Sequence, residues 1–177
     1  MRIYTKLLNP KMIRQMINEP KKILIILVFI LVAVFIKEFI GTNESLEAKV
    51  IKVIDGDTIN VLENKQVLKI RLFGIDAPES KQEFGKESTD FLASMIMDKN
   101  IRIIYKDKDQ YGRIIGIVKF DGKDINKIMV SSGYAWAYTY YSDIYAKDQI
   151  LAKEKKLGLW KSENPLEPHK WRKQNRF

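Results

Sequence analysis

The chain has 177 residues, with 31 Lys and Arg against 22 Asp and Glu, one histidine and no cysteine, a length that suits one domain with an appendage and excludes a multidomain enzyme. Without cysteine there is no disulfide framework, thiolate zinc site or cysteine nucleophile, and with His169 alone no histidine triad or multi-histidine metal site can be built. More than half of the net charge of +9 sits in residues 1–40, which hold 7 basic and 2 acidic residues, so the excess elsewhere is weak support for a nucleic-acid partner.

Residues 1–22 form a basic segment, followed from Ile23 to Ile36 by fourteen apolar residues without a break, with Phe39 and Ile40 beyond Lys37 and Glu38. As a helix, Ile23–Ile40 covers about 27 Å, near the thin end of hydrocarbon thickness. Residues 23–40 therefore read as a transmembrane signal anchor, spanning if Lys37 snorkels. A cleaved secretory signal is the alternative, disfavoured by the long leading segment and by the lack of an A-x-A site. Arg2, Lys6, Lys11, Arg14, Lys21 and Lys22 precede the run, so the positive-inside rule leaves the basic end cytoplasmic and places the C-terminal domain outside the cell.

Residues 41–47 read as a polar linker and residues 48–160 as the domain proper. AKVIKVI, TINVL and QVLKIRLFGI form a three-stranded meander punctuated by DGD and ENK. A helix over Lys86–Asp98 follows, with Phe91, Leu92, Met95 and Ile96 on one stripe. Two further strands, 101–105 and 114–120, flank the turn KDKDQYGR, then come helices over Ile125–Ser132 and Ile144–Leu157, closed by Gly133 and Gly158. The expected fold class is α+β, mainly β: a five-stranded OB-type Greek-key barrel with three packed helices, preceded by one transmembrane helix. Residues 161–177 are a charged tail with little periodicity, expected to be poorly ordered, with His169 solvated. The Lys153–Lys156 run is expected on an exposed helix face.

Three clusters carry chemistry. Asp55-Gly56-Asp57-Thr58 lies between two strands, where an Asp-Gly pair is most often only a hairpin turn. In Arg71-Leu72-Phe73-Gly74-Ile75-Asp76-Ala77-Pro78-Glu79 a basic residue leaves a strand end and two carboxylates follow. Alternation puts Lys69, Arg71 and Phe73 on one face, and Pro78 fixes the turn that aims Glu79. Asp109-Gln110-Tyr111-Gly112-Arg113 sits at a turn, where Gly and charge are routine.

Together, in order, spacing and residue type, the motifs D-G-D-T, R-x4-D-x-P-E and Y-G-R resemble the staphylococcal nuclease (thermonuclease) family, from about Ala48 to Trp160. The resemblance implies that Arg71, Glu79 and Arg113 are catalytic. It further implies that Asp57, Asp76 and the backbone carbonyl of Ala77 bind Ca2+. Ala77 stands where most relatives carry threonine, a change a carbonyl ligand does not feel. Ser80–Phe84 is shorter and less basic than the matching loop of the type protein. The implied reaction is calcium-dependent cleavage of DNA and RNA, leaving 3′-phosphate ends, by a monomer.

The residue types suit that task. Calcium takes hard oxygen ligands in a flexible shell, a glutamate beside it can activate water, and two guanidiniums can each donate paired hydrogen bonds to phosphate oxygens. Tyr134, Trp136, Tyr138 and Tyr140 alternate, with Tyr141 and Tyr145 close behind. Most such rings pack; Tyr138 and Tyr140, with Tyr111, are the candidates for stacking on substrate bases. Two rival readings are a catalytically inert nucleic-acid-binding OB-type module and a membrane-tethered calcium-binding or adhesive module.

Overall fold

The structure, a computed structural model, describes residues 20–39 and 44–175. The chain divides into two units, 1–42 and 43–177. The basic segment before Pro20 and residues 40–43, which end the anchor and begin the linker, lie outside the described residues.

In the first unit a helix forms where the apolar run predicts one: α1, Pro20–Phe39. Its apolar side chains from Leu24 to Val34 are largely exposed. The expectation that this segment spans a membrane is not upheld, since no helix among the described residues is long and apolar enough to cross one. The reason is local: Lys21 and Lys22 on one side and Lys37 and Glu38 on the other close the apolar run after fourteen residues.

The second unit is a closed five-stranded barrel with helices packed on it. Its strands are β1 (Ser45–Asp55), β2 (Thr58–Glu63), β3 (Gln66–Leu72), β5 (Asn100–Lys108) and β6 (Ile114–Phe120), with short strands β4 (Ile75–Asp76), β7 (Lys123–Asp124) and β8 (Trp136–Ala137). The sheet runs β3-β2-β1-β5-β6-β7, and parallel pairing of β3 with β6, Arg71 opposite Ile115, closes the barrel. Strand β1 starts at Ser45, so the last three of the seven expected linker residues are strand, and it pairs with β5 along its first half and β2 along its second. Register shifts at Val50–Lys52 and Val53–Asp55 bend it between those two partners, as bulges do at barrel corners. Val50, Ile59, Val61, Ile70, Leu72 and Ile103 fill the interior.

Helix α2 (Gly85–Ile96) buries Leu92 and Ile96 on the barrel. Helix α3 (Ile125–Ser131) starts at Asp124, whose side chain accepts from Lys127 N–H, and α4 (Ala146–Glu154) is shorter than the helix expected there. At the end of α3, Gly133 adopts φ +76° and its backbone lies against Leu157 and Gly158; an added Cβ would come within 2.2 Å of the Leu157 carbonyl oxygen, so only glycine fits. Lys153–Lys156 are exposed, as expected, and Lys153 also lies over the rings of Trp136 and Trp160 at 5.0 and 4.5 Å as a cation–π partner.

The tail is the largest departure from expectation. Instead of a poorly ordered segment there is a 3-10 turn over Gly158–Lys161 and a helix, α5, over Pro168–Gln174. Proline at the first helical position presets φ, Pro168 is buried, and Gln82 Nε2 donates to the Leu166 carbonyl at 2.6 Å. His169 is half-buried and sits 3.1 Å from Glu167.

Asn126 ties α3 to the barrel. It is fully buried; its Oδ1 accepts from Val118 N–H at 3.0 Å, and its Nδ2 donates to the carbonyls of Phe73 and Gly116 at 2.9 and 3.2 Å. Asn126→Ala leaves these groups without their partner, and we expect a loss of about 2–4 kcal/mol in urea unfolding; a loss below about 0.5 kcal/mol would contradict this role.

Candidate active site

The site forms where β3 leaves the barrel. Arg71 is the penultimate residue of β3, and the turn after it leads into β4, whose Asp76 pairs with Trp136 of β8. Hairpin pairing of Thr58 with Arg71 brings the Asp55–Asp57 turn alongside. The Asp57 Oδ2 accepts from Ala77 N–H at 2.7 Å and its Oδ1 from the Thr58 hydroxyl at 2.9 Å. Thus the DGDT turn and the Asp-Ala-Pro-Glu segment, 20 residues apart, are locked by one hydrogen bond.

Arg71 then joins the carboxylates. Its guanidinium pairs with Asp57 through Nη1 and with Asp76 through Nη2 at 2.9 Å, and its side chain is 14% exposed. Although burial opposes the charge, Asp57 and Asp76 raise the pKa of Arg71 further. Burial pushes the Asp76 carboxyl above its ordinary range, against the pull of Arg172 and Arg71. Burial, reinforced by the Asp57 charge, raises Asp55 to about 7; Asp55 also accepts from Asp57 N–H at 3.0 Å.

Glu79 is held at the mouth by a compact turn. Gln82 N–H donates to the Glu79 carbonyl at 2.8 Å, and Glu79 N–H donates to Gln82 Oε1 at 3.2 Å. Gly85, which opens α2, lets the helix abut this turn: a Cβ there would lie 1.9 Å from the Glu79 carbonyl oxygen. The carboxylate accepts from Arg172 of α5 at 2.8 Å, a residue the sequence reading left in a solvated tail. Arg172 also donates to both oxygens of Asp76, at 3.1 and 3.0 Å. The available signal is Glu167-Pro168, a helix start, followed by Trp171 among charges; it marks an ordered helix and not the partner of its arginine.

Arg113 is placed apart from this cluster. Its Nε donates to Asp109 Oδ2 at 2.6 Å, and, although desolvation opposes it, these hydrogen bonds hold the Asp109 carboxyl below its ordinary value. The parallel β3–β6 register nevertheless starts β6 at Ile114 beside Ile70, so the Arg113 backbone reaches the same end of β3 as Arg71. Tyr111 is 77% exposed, its ring 5.8 Å from the Arg113 guanidinium. Tyr138 is anchored by donating its N–H to the Gly74 carbonyl at 2.9 Å. Burial and the Asp76 charge raise its phenol pKa. Tyr138 and Tyr140 line a cleft of about 250 Å³ with Asp76, Pro168 and His169. Tyr140 is 80% exposed and packs edge-on against Tyr141 at 4.8 Å.

Among the described residues no three Asp, Glu or His side chains lie close enough to hold a metal ion by themselves. The ligand set expected for calcium, Asp57, Asp76 and the Ala77 carbonyl, has only two side chains and takes the rest of its shell from water. The chemistry fits: both aspartates are hard oxygen donors, 5% and 2% exposed, and Arg172 already stands in as a cation beside Asp76.

The sequence profile of the staphylococcal nuclease homologue family matches residues 69–162, the stretch that carries Arg71, Asp76, Glu79 and Arg113. The chain belongs to the staphylococcal nuclease family. It is 40% identical over 139 residues to an uncharacterized endonuclease of Haemophilus influenzae, covering 77% of this chain and 78% of that protein. It is likewise 40% identical over 139 residues to a micrococcal nuclease of Shigella flexneri, covering 71% and 79%. An uncharacterized endonuclease of Escherichia coli is 40% identical over 130 residues, covering 72% and 85%. The family is one of hydrolytic nucleases.

Arg71→Ala leaves two buried aspartates without the cation that joins them, and the expected cost is about 3–5 kcal/mol in chemical denaturation with chelator present. A cost under about 1 kcal/mol would show that the carboxylates do not depend on Arg71.

Proposed function

We propose that this nuclease-family hydrolase cleaves phosphodiester bonds of both DNA and RNA without reading the sugar, uses calcium, and leaves 3′-phosphate ends. The observation that carries the reading is the convergence of Asp57, Asp76, Arg71 and Glu79 at the end of β3, beside a cleft lined by Tyr138 and Tyr140.

Calcium held by Asp57, Asp76 and the Ala77 carbonyl would supply positive charge to the phosphate. Glu79, at the mouth, accepts a proton from water as that water attacks phosphorus; the bond to the 5′ oxygen breaks, and that oxygen takes up a proton from solvent as it leaves. Arg71 and Arg113 donate paired hydrogen bonds to the phosphate oxygens as charge grows on them, which requires Arg113 to swing from Asp109. Tyr138, Tyr140 and Tyr111 offer faces on which bases stack without sequence preference.

We also propose that α1 directs the domain out of the cytoplasm. Its fourteen apolar residues behind Lys21 and Lys22 have the make-up of a secretory h-region. Protease added to intact cells should then degrade the domain, or the domain should appear in the medium beginning after residue 40; retention in the cytosol overturns this.

Full-length protein on fluorophore-quencher single-stranded DNA should cleave with millimolar calcium and stop with chelator. Glu79→Gln and Arg113→Ala should each lower turnover by more than ~10²-fold with little loss of fold. Wild-type turnover in both variants would sink the assignment of these residues. Tight binding without cleavage by the wild type would make the protein an inert barrel.

A further inference from the structure

Helix α5 and the residues leading into it dock on the site at four points. Gln82, which also fixes the Glu79 turn, donates to the Leu166 carbonyl. Pro168 is buried. Trp171 lines a cavity of about 380 Å³ with Pro78, Gln82 and Phe84. Arg172 forks across Asp76 and bridges to Glu79. Between them, Arg71 and Arg172 engage both Asp76 oxygens, and Arg172 alone engages Glu79.

That geometry conflicts with turnover. A guanidinium on both Asp76 oxygens stands where a divalent cation would neutralise the same carboxylate, and its bond to Glu79 Oε1 holds one of the two oxygens that could receive a proton from water. The contact is also built to release. The Arg172 side chain is 39% exposed, and α5 has seven residues, too few to persist without its docking.

We propose that α5 is a tethered competitor for the cation: Arg172 closes the site, and calcium and nucleic acid bind once it withdraws. This rests on the calcium-dependent reading above and adds its regulation. As a segment of the same chain, the helix acts at a high effective concentration and needs no strong intrinsic affinity. A polyanionic substrate offers Arg172 phosphate oxygens in place of Asp76, so substrate and calcium both favour the open form.

The test uses the full-length protein. If the closed form holds roughly 80–97% of the population, calcium affinity is reduced by the open fraction, and Arg172→Ala should bind calcium roughly five- to thirtyfold more tightly by calorimetry without substrate. Fold should survive the change, because Asp76 keeps Arg71. In the wild type, where no variant is needed, calcium should speed tryptic cleavage after Lys170 and Arg172, read by mass spectrometry against chelator. Equal or weaker calcium binding by Arg172→Ala, or cleavage of the tail that calcium leaves unchanged, overturns the competitor while leaving the calcium-dependent nuclease standing. Failure of both proteins to bind calcium overturns that reading and this proposal together.

Discussion

Two aspartates buried to 5% and 2% exposure, facing one guanidinium, set the terms for the rest of this molecule. Carboxylates removed from water are costly unless paired, so Arg71 must reach both, and that requirement accounts for much of the local architecture. The β2–β3 hairpin brings Asp57 to Arg71, the Ala77 N–H holds Asp57 in place, and the β4–β8 pair fixes Asp76. The barrel thereby acts as a frame that holds negative charge at one strand end. One guanidinium shared by Asp57 and Asp76, with Glu79 a short turn away, leaves an acidic cluster that attracts a further cation.

Arg172 meets that demand from the opposite end of the sequence. Its pairing with Asp76 and Glu79 makes the C-terminal helix part of the site, and Gln82 links the helix to the same turn that positions Glu79. On the proposed reading the cation at this site is exchangeable: the Arg172 guanidinium and a divalent ion would satisfy the same oxygens with different charge and geometry.

Much of this was legible in the sequence because the chemistry is local. Alternation in QVLKIRL places Arg71, Pro78 marks the end of the strand just ahead of the turn at Glu79, and the three motifs together point to the family that the profile matches. The barrel strands were visible as β-rich runs between turn signals. The parts that escaped depend on contacts far apart in the chain. Arg172 lies 96 residues from Asp76, and while Glu167-Pro168 and Trp171 in KSENPLEPHKWRKQNRF signal a helix, nothing there says which carboxylate its arginine meets. Asn126 looked like an ordinary helix residue, yet its side chain completes the edge of β6. The Y-G-R motif singles out Arg113 as a candidate, while in the structure it pairs with Asp109, four residues away. The apolar run predicted α1 correctly as a helix; the charges that bound it, Lys21, Lys22, Lys37 and Glu38, limit what that helix can cross.

The measurement that bears most directly on this account is a crystal structure of the full-length protein with calcium bound. The account predicts the ion between Asp57 and Asp76, with the Ala77 carbonyl in its shell and Arg172 withdrawn from Asp76 and Glu79. Calcium bound elsewhere while Arg172 still bridges those two carboxylates would contradict it.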